Sequence, residues 1–201
     1  MKPLFTFLIA MSFFSLAQSQ TTLSNFQENQ TITWGSVSAQ GPSFGFYGME
    51  FTFTKTVRIE SVSVFIVDRK SEDETKATIN FTVWSIKDKP MKELFLSEAL
   101  PIAGSEVDGW KTFKFKKPMK LKKGTYLFGV GQPEIQGFVA FGGGKALPGY
   151  TSRYWGKMAI EGFSDGKEWI DLTDIIEGMG ASEADIKMMK ESVVMMKITL
   201  K

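Results

Sequence analysis

Six side chains of the types that bind sugars lie between positions 84 and 155 of the chain. Aromatic rings stack on the apolar face of a sugar, and a planar guanidinium hydrogen-bonds its hydroxyl groups. Four of the six follow a glycine run at 142–144, and the other two are tryptophans on predicted strands with polar neighbours. The predicted ligand-binding set is Trp155, Tyr154, Arg153, Tyr150, Trp110 and Trp84. The alternative for each tryptophan is a structural role, packed at a sheet edge or under a loop.

Catalysis has few candidates, because the chain contains no histidine and no cysteine. Their absence removes Ser-His-Asp and Cys-His chemistry and leaves carboxylates as the main acid and base groups. A pair of them could hydrolyse a glycoside. The available glutamates are Glu50, Glu98, Glu161 and Glu168. None has a sequence context that singles it out, so we predict a protein that is not an enzyme and assign no catalytic residue.

Metal and phosphate sites are not indicated either. Without histidine, a metal would have to be a hard cation held by oxygen, most plausibly calcium. The acidic run 72–74 lacks an alternating oxygen-ligand pattern and lies among basic residues, which favours a solvated loop. The glycine run before Lys145 lacks the spacing of a phosphate-binding loop. We therefore predict no metal ligand and no cofactor, with a structural calcium as the alternative.

The start of the chain has the composition of a secretory signal. Lys2 precedes an apolar run at 4–16, and small residues follow at 17–19. This order is typical of a cleaved signal peptide and is too short for a membrane span. We predict a signal over 1–19 and one domain over 20–201, secreted to the periplasm or the extracellular space. A cysteine-free secreted chain has no disulfide framework and is more typical of bacteria than of animals.

Charge and composition exclude other classes of partner. The formal net charge is +2, which gives no electrostatic case for nucleic acid or for an anionic membrane surface. The hydrophobic fraction of 43% over 201 residues is sufficient for one folded domain with its own core. We expect a soluble globular domain without a membrane span.

Alternation of apolar and polar residues predicts the fold. The pattern is clearest at 47–54, 57–67, 77–86 and 109–116, with turn residues between the runs. Residues 21–30 are polar and predict a loose segment, whereas 192–200 predict a last strand that pairs with an early one. Residues 163–172 predict a hairpin with Asp165-Gly166 at its tip. Ser182 with Asp185 resembles a capping box and predicts a short helix over 179–191. The fold class is therefore all-β: an antiparallel β-sandwich of jelly-roll type with one short helix near the C-terminus.

Two stretches resemble accessory domains of secreted bacterial proteins. One is 78–99 (TINFTVWSIKDKPMKELFLSEA) followed by Gly109-Trp110 and 121–130 (LKKGTYLFGV), and the other is 163–169 (FSDGKEW), similar to a hairpin of discoidin-type sandwiches. The first is similar to galactose-binding-like and carbohydrate-binding jelly rolls. The resemblance implies a sandwich that binds glycans, often with a structural calcium. The methionine-rich segment 179–196 has no counterpart in that family.

The sequence thus predicts a secreted, non-catalytic sandwich that recognises a carbohydrate or a cell-surface ligand. Two alternatives stay open. One is a structural or adhesion protein that binds another protein and whose tryptophans belong to the core. The other is a glycoside hydrolase with paired carboxylates.

Overall fold

The computed structural model describes residues 20–37, 44–70, 77–131, 138–157, 159–160, 164–165, 167–171 and 182–201. The predicted signal over 1–19 lies outside these ranges. The strands are β1 (Thr21–Ser24), β2 (Phe26–Val37), β3 (Phe44–Phe53), β4 (Val57–Lys70), β5 (Thr78–Ile86), β6 (Pro90–Leu96), β7 (Leu100–Pro101), β8 (Gly109–Leu121), β9 (Gly124–Gly131), β10 (Phe138–Ala146), β11 (Ser152–Lys157), β12 (Ala159–Ile160), β13 (Ser164–Asp165), β14 (Ile170–Asp171), β15 (Ser192–Val194) and β16 (Met196–Leu200). A 3-10 helix spans Gly104–Glu106, and α1 spans Glu183–Glu191.

These strands form two antiparallel sheets. In sheet I the order is β1-β16-β4-β10-β15, with β2 paired to β10 and β8 paired to β4. In sheet II the order is β14-β11-β3-β9-β5-β6, with β7 paired to β5. The short strands β12 and β13 pair with each other. Within the described ranges, no helix is long and apolar enough to cross a membrane.

Alternate residues on the long strands build the core between the sheets. On β3, Met49, Phe51 and Phe53 are buried, whereas Glu50 and Thr52 are exposed. Rings from the two sheets meet across the interface, as in the pairs Tyr47–Phe141 at 6.0 Å and Phe81–Phe113 at 6.3 Å between centroids. This inward and outward alternation is what a half-buried antiparallel strand produces. The predicted all-β sandwich is therefore confirmed.

The first and last of the described strands meet in sheet I. Strand β16 lies between β1 and β4, so the predicted pairing of the last strand with an early strand is confirmed. The expectation of a loose segment over 21–30 is wrong, because β1 and the start of β2 occupy these residues. A polar edge strand hydrogen-bonds through its backbone whatever its side chains are, so its composition gave no strand signal.

The C-terminal third departs from the predicted pattern in one respect. We expected residues 163–172 to form one hairpin, but β13 pairs with β12, and β14 pairs with β11 at the edge of sheet II. Helix α1 lies within the predicted range 179–191, of which 179–181 fall outside the described residues. The backbone N–H of Ile186 donates to the carbonyl of Ser182 at 3.0 Å, which closes the first turn of α1.

Candidate functional site

Trp155 belongs to the interior rather than to an exposed platform. Its side chain is 3% exposed and packs with Phe46 and Leu127 on the face of sheet II that points away from the main core. A ring that is covered on this scale has no free face for a sugar. The predicted stacking on Trp155 is therefore wrong, and the structural alternative for this tryptophan holds.

Trp84 joins the same group from the neighbouring strand β5. Its ring is stacked on Phe46 at 6.0 Å and meets Trp169 edge-on at 5.2 Å. We call Phe46, Trp84, Leu127, Trp155 and Trp169 the outer aromatic cluster. The indole N–H groups of Trp84 and Trp155 are buried and have no hydrogen-bond acceptor among the residues that the structure describes. Trp84 is only half-buried, so part of its ring reaches the surface.

Glycines let this cluster lie directly on the backbone of sheet II. A methyl group at Gly129 would stand 2.4 Å from Cδ2 of Phe46 and 2.8 Å from Cγ2 of Thr82. Both distances are far below van der Waals contact, so the Phe46 ring occupies the space that a side chain at 129 would need. The outer aromatic cluster is therefore a second, small core on the outside of the sheet.

The remaining members of the 150–155 group do not form one contact surface. Arg153 is exposed, and its Nη1 donates to Oδ2 of Asp171 at 3.0 Å, which joins β11 to β14. Tyr150 is half-buried against Phe51 at 5.1 Å, and this burial raises the pKa of its phenol above the usual value. Tyr154 is on β11, but its side chain lies outside the described part of the structure. Tyr150 and Arg153 are therefore close in sequence but do not share a contact surface.

Trp110 lies on the other sheet. It is half-buried on β8, in contact with Phe26 at 5.7 Å and Phe65 at 5.4 Å. The ammonium of Lys197 lies 4.3 Å from the ring centroid, a cation–π contact that covers one side of the indole. Trp84 and Trp110 are thus separate platforms on separate sheets.

The carboxylates proposed for the glycosidase alternative are on different elements. Glu50 is exposed on β3, Glu98 follows β6, and Glu168 forms an ion pair with Lys89. Glu161 lies outside the described residues, as does the acidic run 72–74. Among the residues that the structure describes, no group of three or more His, Cys, Asp or Glu is arranged to hold a metal ion.

The sequence did not single out one concave surface of the structure. A groove of about 540 Å³ runs between β6 of sheet II and β8 of sheet I, at the side of the sandwich. We call it the edge groove. Its lining is Leu94, Phe95, Leu96, Ser97, Glu98, Phe113, Lys114, Phe115, Lys116, Lys117 and Met119.

Three phenylalanines form the floor of the edge groove. Phe95 lies 5.3 Å from Phe113 and 4.8 Å from Phe115, and the last two are 5.1 Å apart between centroids. All three are half-buried, so the triad closes the side of the core and still faces solvent. This geometry provides an apolar floor without sealing the groove.

The two walls differ in character. Leu94 is 40% and Leu96 43% exposed, and they are two of the three large apolar side chains with this exposure among the described residues. The opposite wall carries the exposed lysines Lys114, Lys116 and Lys117. No described residue forms an ion pair with any of these three lysines. Glu98 is the single carboxylate in the lining, so the groove has an excess of positive charge.

Both walls are edge strands. Among the described strands, β6 pairs only with β5, and β8 pairs only with β4. Each strand therefore has one backbone edge without a strand partner. The alternation at 113–116 correctly predicted that the phenylalanines point inward and the lysines outward. It could not predict that this strand lies at an edge, because that depends on the order of the strands in the sheet.

Comparisons with known proteins add no relative. No family model, no curated protein and no solved structure matches the chain. Function is therefore inferred from the geometry of the described residues.

Proposed function

We propose that the protein is a secreted, non-catalytic binding module whose edge groove holds a segment of another protein. The observation that carries this proposal is the exposed apolar groove between two edge strands. Contiguous apolar surface of this kind on a folded domain marks an interaction site. Covering the exposed part of one leucine contributes about 1 kcal/mol.

We propose further that the sandwich is of jelly-roll type. Two four-stranded layers support this connectivity: the order β2-β10-β4-β8 in sheet I faces the order β3-β9-β5-β6 in sheet II. Among these eight strands, consecutive strands alternate between the layers except at β5 and β6. Jelly rolls also alternate between two four-stranded layers; they occur in many binding proteins and do not by themselves define a ligand.

The composition of the chain supports the remaining parts of the proposal. The apolar run after Lys2 and the absence of cysteine support export through a cleaved signal. The absence of histidine and cysteine, with one carboxylate in the groove, supports binding rather than catalysis, because glycoside hydrolysis uses a pair of carboxylates.

Carbohydrate recognition is the second candidate, and one observation favours it. Trp84 and Trp169 are half-buried rings on the outer face of sheet II, where Arg153 is exposed. A sugar that stacked on the exposed part of Trp84 would bind there, away from the edge groove.

The two candidates are separated by mapping where probes bind. The ¹⁵N-labelled protein is titrated with an oligosaccharide mixture, with dodecanoate and with a pool of capped extended peptides, and amide shifts are recorded. We expect the peptides to shift amides at 94–98 and 113–119. Lys116→Glu should weaken the response, whereas Lys123→Glu, an exposed lysine in the turn after β8, should not. If the sugars change amide chemical shifts only in the outer aromatic cluster, the second candidate is favoured. If no probe changes the chemical shifts of the groove amides, the proposal is refuted.

A further inference from the structure

We infer that the partner segment binds as an added β-strand, paired with the free edge of β6, and that it alternates apolar and acidic residues. This inference rests on the proposed function of the edge groove and specifies the kind of segment that fits it. Addition of a strand to an exposed sheet edge is a general mode of peptide recognition.

The two edges of the groove differ in how well they are protected. Edge strands are commonly shielded from further pairing by lysine and proline. Strand β8 carries Pro118 together with several exposed lysines. Strand β6 exposes Leu94, Leu96 and Met91, the last at 62%, and carries one exposed lysine, Lys92, with proline only at its first position. Register shifts in its pairing with β5 add a bulge at Met91 and another at Leu94. Because β6 has fewer exposed lysines than β8, it is the less protected of the two edges, and pairing is expected there.

The charge of the groove specifies the partner. In an added strand, alternate side chains point to opposite sides. One set covers the floor formed by Phe95, Phe113 and Phe115. The other set faces solvent, within reach of the flexible lysine side chains of β8, and acidic residues at these positions complement the unpaired charges.

Other occupants fit these observations less well. A second copy of this chain seated on the same groove would bring two lysine walls together, and like charges at that distance repel. An alkyl chain would cover the phenylalanines but would leave the backbone groups of β6 without partners. The open groove, with Leu94 and Leu96 substantially exposed, also lacks the enclosure typical of a lipid site.

The test uses three synthetic peptides and the purified ¹⁵N-labelled protein. The first peptide is a capped octamer of alternating Val and Glu. The second replaces Glu by Lys, and the third is the Val/Glu octamer with N-methyl groups on alternate residues, which removes main-chain donors along one edge. We expect the first peptide to shift amides of β6 and β8, and the other two to bind at least tenfold more weakly. Lys116→Glu should weaken the first peptide at least fivefold, and Lys123→Glu should leave it unchanged.

Each other outcome overturns the inference in a recognisable way. Equal binding of the N-methylated peptide at the groove would refute strand pairing and leave the groove as a binding site. Equal binding of the Val/Lys peptide would refute the acidic preference. If dodecanoate shifts the groove amides and the Val/Glu peptide does not, the occupant is an amphiphile rather than a protein segment. If no probe perturbs the groove, the proposed function fails together with this inference.

Discussion

At the scale of single residues, Asn25 joins distant parts of sheet I. Its side chain is fully buried, its Nδ2 donates to the carbonyl of Val194 at 2.8 Å, and its Oδ1 accepts from the N–H of Met196 at 2.9 Å. The backbone carbonyl of Asn25 accepts from the N–H of Leu147 at 3.0 Å. One residue thus satisfies buried polar groups next to Met195, where the chain passes from β15, which pairs with β10, to β16, which pairs with β1 and β4.

Replacing Asn25 by alanine should lower the free energy of unfolding by about 2–4 kcal/mol, because it leaves one buried carbonyl and one buried N–H without a partner. Denaturant unfolding followed by tryptophan fluorescence measures the change. The control is Thr22→Ala, at an exposed position of β1, which should change stability by less than about 0.5 kcal/mol. An Asn25→Ala protein as stable as its parent would show that both backbone groups find other partners.

Residue types alone could not decide the role of Trp155. The sequence predicted a group of aromatic and basic residues at 150–155, and the period of two places Arg153 and Trp155 on the same face of β11. Exposed and buried faces could not be distinguished, because both faces of sheet II carry large apolar side chains. The outer aromatic cluster requires four strands and Trp169 to come together, and only the strand order provides that.

At the scale of elements, the outer aromatic cluster depends on glycine in the strand beneath it. Gly129→Ala should lower the free energy of unfolding by about 1–3 kcal/mol, because the Phe46 ring and the Thr82 methyl group cannot both move away. Gly48→Ala provides a graded comparison, since its nearest contact is the terminal methyl of Leu127 at 2.8 Å, which can rotate. We expect Gly48→Ala to cost less than Gly129→Ala in the same denaturant assay. The reverse order would mean that the ring is not fixed over Gly129.

The positions of the strands along the chain were easier to predict than the way the strands pair. The alternating segments at 57–67 and 109–116 lie within strands, and the one at 47–54 ends one residue beyond β3, because burial of one face leaves a direct mark on the sequence. The hairpin expected over 163–172 failed for a different reason. Turn residues indicate where the chain reverses, but β14 finds its partner in β11 at the edge of sheet II, and competition between possible partners leaves no local signal.

At the scale of the whole molecule, the less protected edge of β6 affects self-association as well as ligand binding. An edge strand with exposed apolar side chains is a site where unrelated chains add to a sheet. Leu96→Lys should slow aggregation on heating, measured by light scattering, with a change in Tm of no more than a few degrees, since the side chain is already exposed. Met91→Lys, at the far end of the same strand and outside the groove, should have the smaller effect. Aggregation of Leu96→Lys at the parent rate would show that β6 is not the edge that associates.

The antiparallel pairing of β1 with β16 also determines how the molecule responds to tension. Thr21 lies opposite Leu200, so the first and last strands start and finish side by side, with Cα atoms about 5 Å apart. A pull applied between these two points acts across the ladder instead of along it. The hydrogen bonds between β1 and β16 would then break one after another, because the force acts on one bond at a time and is not shared among them. The fold is therefore mechanically weak along the line that joins Thr21 to Leu200.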